Sequence, residues 1–277
     1  MISPEPRRLL LVHAHPDDET LTTGGTIARY AAEGAEVTVV TCTLGEEGEI
    51  IPPELAQLGS WAGDQLGGYR SGELAAACEA LGVTRHEYLG GVGRWRDSGM
   101  AGTPSAEHPR AFVRGSIEEQ AGQLRTLLGE LRPQVVVSYD DFGGYGHPDH
   151  IRAHEVTMAA VAGAESVRRV FHTVSSAGDT SRGLALLRDR ADLPFAVPAD
   201  SELPSTPDEV ITTRVDVSGH LAAKVAALRA HATQVHVGDG LFALSNNLAQ
   251  PLATTECFVL VAGDGTGAAT DLFGGWD

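Results

Sequence analysis

Arg8-Leu9-Leu10-Leu11-Val12-His13-Ala14 runs directly into His15-Pro16-Asp17-Asp18-Glu19, and the change of character at His15 decides how the chain is read. The run Leu9 to Val12 is continuously apolar, so residues 8–14 are predicted to form a strand covered on both faces. A second such run, Val135-Val136-Val137-Ser138-Tyr139, leads into Gly143-Gly144-Tyr145-Gly146 and then His147-Pro148-Asp149-His150. Each predicted strand therefore ends in a short cluster of imidazole and carboxylate.

Between these clusters the pattern alternates strand and helix. Residues 20–32 read as a helix closed by Gly34, residues 36–43 as a strand, and residues 64–81 as a helix ended by Gly82. A short strand at 86–89 precedes a helix at 116–131, which opens on a capping box, Ser116 with Glu119, and is stopped by Pro133. Residues 134–139 make the next strand. Alternation of this kind implies a parallel sheet with right-handed crossovers. The expected fold class is α/β: a Rossmann-like doubly wound, mostly parallel sheet with helices on both faces, plus a smaller C-terminal α/β portion. In that strand order the first and fourth strands are neighbours at the switch point, where ligands bind beyond the carboxyl ends.

Further along the signal weakens. Residues 167–174 suit a strand, 222–232 a helix and 257–261 a strand. The segment 193–208, with Pro194, Pro198, Pro204 and Pro207, suits a surface loop, and the tail after Gly263 is expected to be loosely ordered. The expectation is one domain over 1–277, with its core at about 7–175 and its C-terminal portion at about 208–262.

Composition narrows the function classes. With 37 acidic against 20 basic residues the net charge is -17, which repels nucleic acid and anionic membranes but not a neutral small molecule. Cys42, Cys78 and Cys257 are sparse and show no CxxC spacing, as in reduced intracellular thiols. The apolar stretch behind Arg7 and Arg8 is cut at once by His13 and His15, too short for a signal-peptide core. A cytoplasmic location is expected.

Pro16 fixes the turn at the end of the first strand, so His15, Asp17 and Asp18 are held rather than mobile. Pro148 suits the first position of a helix, which puts His147 near its N-cap and His150 one turn further, with His154 on the same face. A metal site of His15, Asp18 and His150 leaves a position for water, as catalytic zinc sites do, and zinc lowers the pKa of such a water to about 7. One Zn2+ per chain is expected, with Fe2+ possible on the same ligands. Asp17 would be the general base, and His147 and Tyr145 would donate hydrogen bonds where negative charge develops. The reaction class is hydrolysis of an amide or ester. His13 is expected to be structural, His154 either supports the site or packs, and Glu19 is expected to anchor the loop. A dinucleotide-binding domain would need GxGxxG after the first strand, which is absent. No GxSxG elbow marks a serine hydrolase either.

These residues resemble the LmbE-like, PIG-L-type N-acetylglucosamine deacetylase superfamily, whose hallmarks stand here as His15 to Glu19 and His147 to His150. The strings Leu44-Gly45-Glu46-Glu47-Gly48-Glu49, Asp64-Gln65-Leu66-Gly67-Gly68-Tyr69-Arg70, Gly93-Arg94-Trp95-Arg96-Asp97-Ser98-Gly99-Met100 and His231-Ala232-Thr233-Gln234 look like its mycothiol-pathway branch. The resemblance covers about residues 8–248. It implies zinc on His15, Asp18 and His150, Asp17 as base, and His147 with Tyr145 as oxyanion-stabilising groups. It also implies a sugar-inositol substrate, N-acetylglucosaminyl-inositol, recognised by Arg70 and Asp97, with Glu49 as a further contact. The related mycothiol S-conjugate amidase shares the metal motif but carries Lys shortly after it. Glu19-Thr20-Leu21-Thr22-Thr23 has none, which favours the deacetylase.

Overall fold

The computed structural model describes residues 5–276. Its first half alternates β1 (Arg8–His13), α1 (Asp18–Ala32), β2 (Glu36–Thr41), α2 (Leu66–Leu81), β3 (Arg85–Tyr88), α3 (Ile117–Leu131) and β4 (Val135–Ser138). A glycine-rich turn, α4 (Gly143–Gly146), leads into α5 (Pro148–Val161), β5 (Arg169–Val174) and α6 (Ala177–Arg188). The C-terminal part contains β6 (Thr213–Asp216), α7 (Leu221–Ala230), β7 (His236–Gly238), β8 (Leu241–Ala243), β9 (Ala249–Pro251) and β10 (Thr255–Gly263).

Strand β1 is buried on both sides, as its unbroken apolar run requires. Leu9 and Leu11 join one core with Val37, Val39, Val135 and Val137, while Leu10 and Val12 face the other with Val40 and Val136. Alternate side chains leave opposite faces of a strand, so both faces need a covering layer. Ile27 of α1, Ala77 of α2 and Ala227 of α7 cover the first; Leu124 of α3 and Val156 of α5 cover the second.

The seven-stranded sheet has the order β3-β2-β1-β4-β5-β10-β6. Strand β1 pairs in parallel with β2 and with β4, Leu10 lying opposite Val136. Strand β10 runs antiparallel to both β5 and β6. The expected doubly wound, mostly parallel sheet is what forms, and the loops after β1 and β4 leave adjacent strands on the same edge.

Glu256 of β10 grips α1 in mid-helix, accepting from the N–H groups of Gly25 (2.9 Å) and Thr26 (2.7 Å). Its charge is balanced by buried Lys224 of α7 at 2.6 Å. The C-terminal portion thereby fixes the helix that begins at Asp18.

Two elements lie outside what the sequence suggested, and two expectations need correction. The segment 193–208 is preceded by a helix, α6, that its weak apolar pattern hides, and β7-β8-β9 make a separate three-stranded sheet whose short strands carry little periodicity. The helix expected over 222–232 ends at Ala230, so His231 leaves it. The tail after Gly263 is not loose: Ala268, Leu272 and Phe273 are buried in the core. Arg169, 1% exposed, donates to the carbonyls of Asp264 (2.6 Å), Leu272 (2.9 Å), Gly274 (2.8 Å) and Thr266 (2.7 Å). A tail without regular structure is ordered here by one guanidinium that satisfies its buried carbonyls. Arg169→Ala leaves those acceptors unpaired, so urea unfolding is expected to show a loss of about 3 kcal/mol. A loss below about 0.5 kcal/mol, within the range of a neutral surface change, would restore the reading of a loose tail.

Candidate functional site

The loop after β1 is held in a strained shape. Asp17, which precedes the first turn of α1, has φ 101 and ψ -33, a conformation costing a non-glycine residue about 1–3 kcal/mol. Its carbonyl accepts from Thr20 (3.0 Å) and Leu21 (2.8 Å). Its N–H donates to Glu19 Oε2 at 2.9 Å. Its carboxylate lies 3.2 Å from the Arg70 guanidinium, which also donates to the carbonyls of Gly45 (2.7 Å) and Pro16. Burial pushes the Asp17 carboxyl up to about 6; Arg70 pulls it down and Asp18 adds to the rise.

After β4 the chain places His150 by a different route. His147 caps α5, its Nδ1 accepting from the Asp149 N–H at 3.1 Å, and Pro148 occupies the first helical position. The His147 proton is therefore on Nε2. Burial lowers its pKa to about 3, with His15 and His150 pushing the same way, so the ring is a neutral donor. His150 Nδ1 lies 3.1 Å from the Gly143 carbonyl, which assigns its proton to Nδ1 and leaves a lone pair on Nε2. His15 is fixed in the converse sense. Its Nε2 faces Asp149 Oδ2 (3.2 Å) and Asp97 Oδ1 (3.5 Å), leaving the lone pair on Nδ1.

Those lone pairs converge. His15 Nδ1 is 3.4 Å from Asp18 Oδ2, His150 Nε2 is 3.3 Å from the same oxygen, and the two nitrogens are 3.3 Å apart. A tetrahedral cation about 2.0–2.1 Å from each ligand separates ligand atoms by about 3.3–3.4 Å. That spacing suits His15 Nδ1, Asp18 Oδ2 and His150 Nε2 to a metal ion of this size. Burial raises the cost of the Asp18 charge, yet His150 and His15 hold its pKa well below the usual carboxylate range. His15 shows the same demand. Burial opposes its charge, but Asp97, Asp149 and Asp18 overcome that and raise its pKa.

His147 also lies with His15 and His150 in a group whose ligand atoms are within 4.8 Å of one another, and His15, Asp97 and Asp149 form a second. In the second group both carboxylates accept backbone donors, Ser98 N–H to Asp149 (2.9 Å) and Gly99 N–H to Asp97 (2.8 Å), just as Asp18 Oδ2 accepts the His15 N–H at 3.0 Å. The donor-free side of His15 is the Nδ1 side. His147 spends its Nδ1 lone pair on the α5 cap.

The structure brings His15, Asp17, Asp18, His147 and His150 together. Tyr145 stands half exposed at the rim, its ring 5.0 Å from that of His150 and 6.0 Å from that of His147. Arg70 and Asp97 are buried rather than on the surface, Arg70 on Asp17 and Asp97 on His15. Glu49 is exposed, and among the described residues no hydrogen bond or ion pair joins it to the cluster. His13 points at α1, its Nε2 3.1 Å from Thr23 Oγ1. His154 supports the site at one remove through the Tyr139 carbonyl (3.0 Å).

Two participants escape sequence reasoning. Tyr139 donates to Asp18 Oδ2 (2.8 Å), accepts from Ala14 N–H (2.8 Å) and stacks on His150 with centroids 4.2 Å apart. It reads as the last residue of an apolar strand; only its hydroxyl in a buried run hints at a partner. Asp149 sits in plain view between two motif histidines, and its role depends on where the 97–99 segment lies.

Residues 10–161 match the family described as PIG-L: GlcNAc-PI de-N-acetylase. A relative from Saccharomonospora viridis, described as 1D-myo-inositol 2-acetamido-2-deoxy-alpha-D-glucopyranoside deacetylase, is 68% identical over 267 residues, covering 96% of this chain and 100% of its own. Among solved structures, the N,N'-diacetylchitobiose deacetylase of Pyrococcus horikoshii shares the fold with TM-score 0.55 and 19% identity, covering 83% of this chain and 71% of its own. The 4-carboxy-2-hydroxymuconate hydratase of Pseudomonas putida does so with TM-score 0.58 and 18% identity, covering 93% and 97%. A deacetylase and a hydratase on one fold show that the architecture alone does not select the reaction.

Gly143 has φ +66, and a Cβ there would meet His150 Cβ at 2.6 Å and the Ile151 nitrogen at 2.8 Å. Gly143→Ala is therefore expected to displace His150 and weaken metal binding at this cluster about 10–100-fold, as loss of an outer support does. Competition against a chromophoric chelator measures this, and parental affinity in a folded variant would contradict it.

Proposed function

The chain belongs to the GlcNAc-PI de-N-acetylase family, and from that premise we propose that it removes the N-acetyl group from N-acetylglucosaminyl-inositol in mycothiol biosynthesis. The observation that carries this reading is the triangle of His15 Nδ1, Asp18 Oδ2 and His150 Nε2 with the Asp17 carboxylate beside it. A relative described as that deacetylase, 68% identical over 96% of this chain, supports the substrate.

The three triangle residues would hold one divalent cation, Zn2+ in preference, with Fe2+ on the same donors. When bound, it would supply Lewis acidity to the amide carbonyl and make a water acidic enough to ionise near neutral pH. Asp17 would accept a proton from the attacking water; Arg70 keeps the carboxylate aimed and its strained backbone keeps it out of the helix. His147, neutral with a proton on Nε2, donates to the oxygen that becomes negative, and Tyr145 approaches the same oxygen from the rim.

Sugar recognition by Arg70 and Asp97 must use what their other bonds leave. For Arg70 that is the Nε–H, buried and without a partner. Exposed Glu49 is free to meet a hydroxyl. A site built to bond hydroxyls rejects analogues that lack them.

We read residues 1–277 as one domain, because β6 and β10 complete the same sheet that carries the site. A cytoplasmic location agrees with Cys42, Cys78 and Cys257, all buried and unbridged. No helix of the described residues is long and apolar enough to cross a membrane.

Acetate release from N-acetylglucosaminyl-inositol by the zinc-loaded protein is expected to exceed cleavage of a mycothiol bimane conjugate; the opposite ranking would make the chain an amidase. Asp17→Ala is expected to keep its zinc and lose at least about 100-fold in kcat, as loss of a general base does. His15→Ala is expected to lose the zinc as well. Metal analysis on the assayed samples separates the two, and equal zinc with near-parental rates in both would contradict these roles.

A further inference from the structure

The His231-Ala232-Thr233-Gln234 segment follows α7, well beyond the stretch that matches the family, and the chemistry at β1 and β4 gives it no task. His231 is fully buried, and its Nε2 lies 2.8 Å from Glu19 Oε1. Glu19 is as deeply buried. Its other oxygen, Oε2, accepts the N–H of Asp17 at 2.9 Å. The segment is itself fastened, with Thr233 donating to Glu73 through its N–H (2.8 Å) and its hydroxyl (2.7 Å). The Thr233 carbonyl accepts from Ile51 N–H at 2.9 Å.

We propose that the His231–Glu19 pair is a positioning device for Asp17, through which the C-terminal segment holds the base in its left-handed conformation. The inference rests on the reading of Asp17 as the proton acceptor. A carboxylate can accept from two donors at once on opposite oxygens. With Oε1 fixed by His231, Oε2 is aimed at the Asp17 N–H, and the peptide that would relax out of φ 101 is pinned. Without His231, Oε1 keeps only the Thr20 hydroxyl, and the buried carboxylate is free to turn away from the Asp17 N–H. A merely structural pair would tie α7 to α1 and affect only stability.

His231→Phe removes the donor and keeps the ring volume; His231→Gln offers an amide N–H to Glu19. Both are loaded with zinc and assayed on N-acetylglucosaminyl-inositol, with zinc content measured and crystal structures determined. For His231→Phe, kcat is expected to fall 10–100-fold, as a small misplacement of a reacting group costs, with KM within threefold and zinc content parental. Asp17 is expected to leave φ 101 in its crystals. His231→Gln is expected to recover kcat to within fivefold of the parent. Parental kcat in His231→Phe, an equal loss in both variants, or a loss that tracks zinc content overturns the proposal. If His231→Phe does not fold, Glu19→Gln takes its place. Its single amide oxygen cannot accept from His231, Thr20 and Asp17 together, so the same fall in kcat is expected, and parental kcat there overturns the proposal. If the parent protein releases no acetate, the functional reading fails, and the Asp17 backbone in the variant crystals still decides the positioning role.

Discussion

Three lone pairs aimed at one point, from His15, Asp18 and His150, are the constraint on which the rest of this molecule depends. Burying two imidazole lone pairs and a carboxylate face to face is costly without a positive charge among them. Their separations of 3.3 to 3.4 Å match a small tetrahedral cation better than any set of hydrogen bonds among acceptors. The fold answers the question of how residues so far apart in sequence meet. Parallel pairing of β1 with β4 puts their carboxyl ends side by side, and the crossover rules leave little freedom for another order.

Around that triangle each neighbour has one electrostatic job. Asp149 and Asp97 hold the His15 proton on Nε2, and the Gly143 carbonyl holds the His150 proton on Nδ1. Tyr139 fixes the Asp18 oxygen. Arg70 counters the charge of Asp17, whose carboxyl burial would otherwise lift further. Burial, with the neighbouring imidazoles of His15 and His150, keeps His147 neutral, which suits it to donate a hydrogen bond. Two adjacent aspartates thus differ in charge preference because their surroundings differ: Asp18 is drawn down by imidazoles and Asp17 is pushed up by burial.

Much of this was legible in the residues. The unbroken run Leu9 to Val12 implies a strand covered twice, and Pro148 implies a helix start, so the imidazoles at 15, 147 and 150 could be placed before any coordinates. Arg70 and Asp97 were legible as important through family resemblance, but not their immediate partners, because sequence carries no trace of which carbonyls a guanidinium meets. Tyr139 was hidden by its apolar surroundings. The tail after Gly263 was misread for a related reason: its order comes from bonds to Arg169, a long-range term that composition does not report. Helix α6 and the small sheet β7-β8-β9 were missed because short elements show too few periods to rise above chance.

Anomalous diffraction from crystals grown with zinc tests the central claim most directly. The account expects a single strong peak at bonding distance, about 2.0–2.2 Å, from His15 Nδ1, Asp18 Oδ2 and His150 Nε2 together. A peak on the Nε2 side of His15, between Asp97 and Asp149, or none at that triangle, would contradict it.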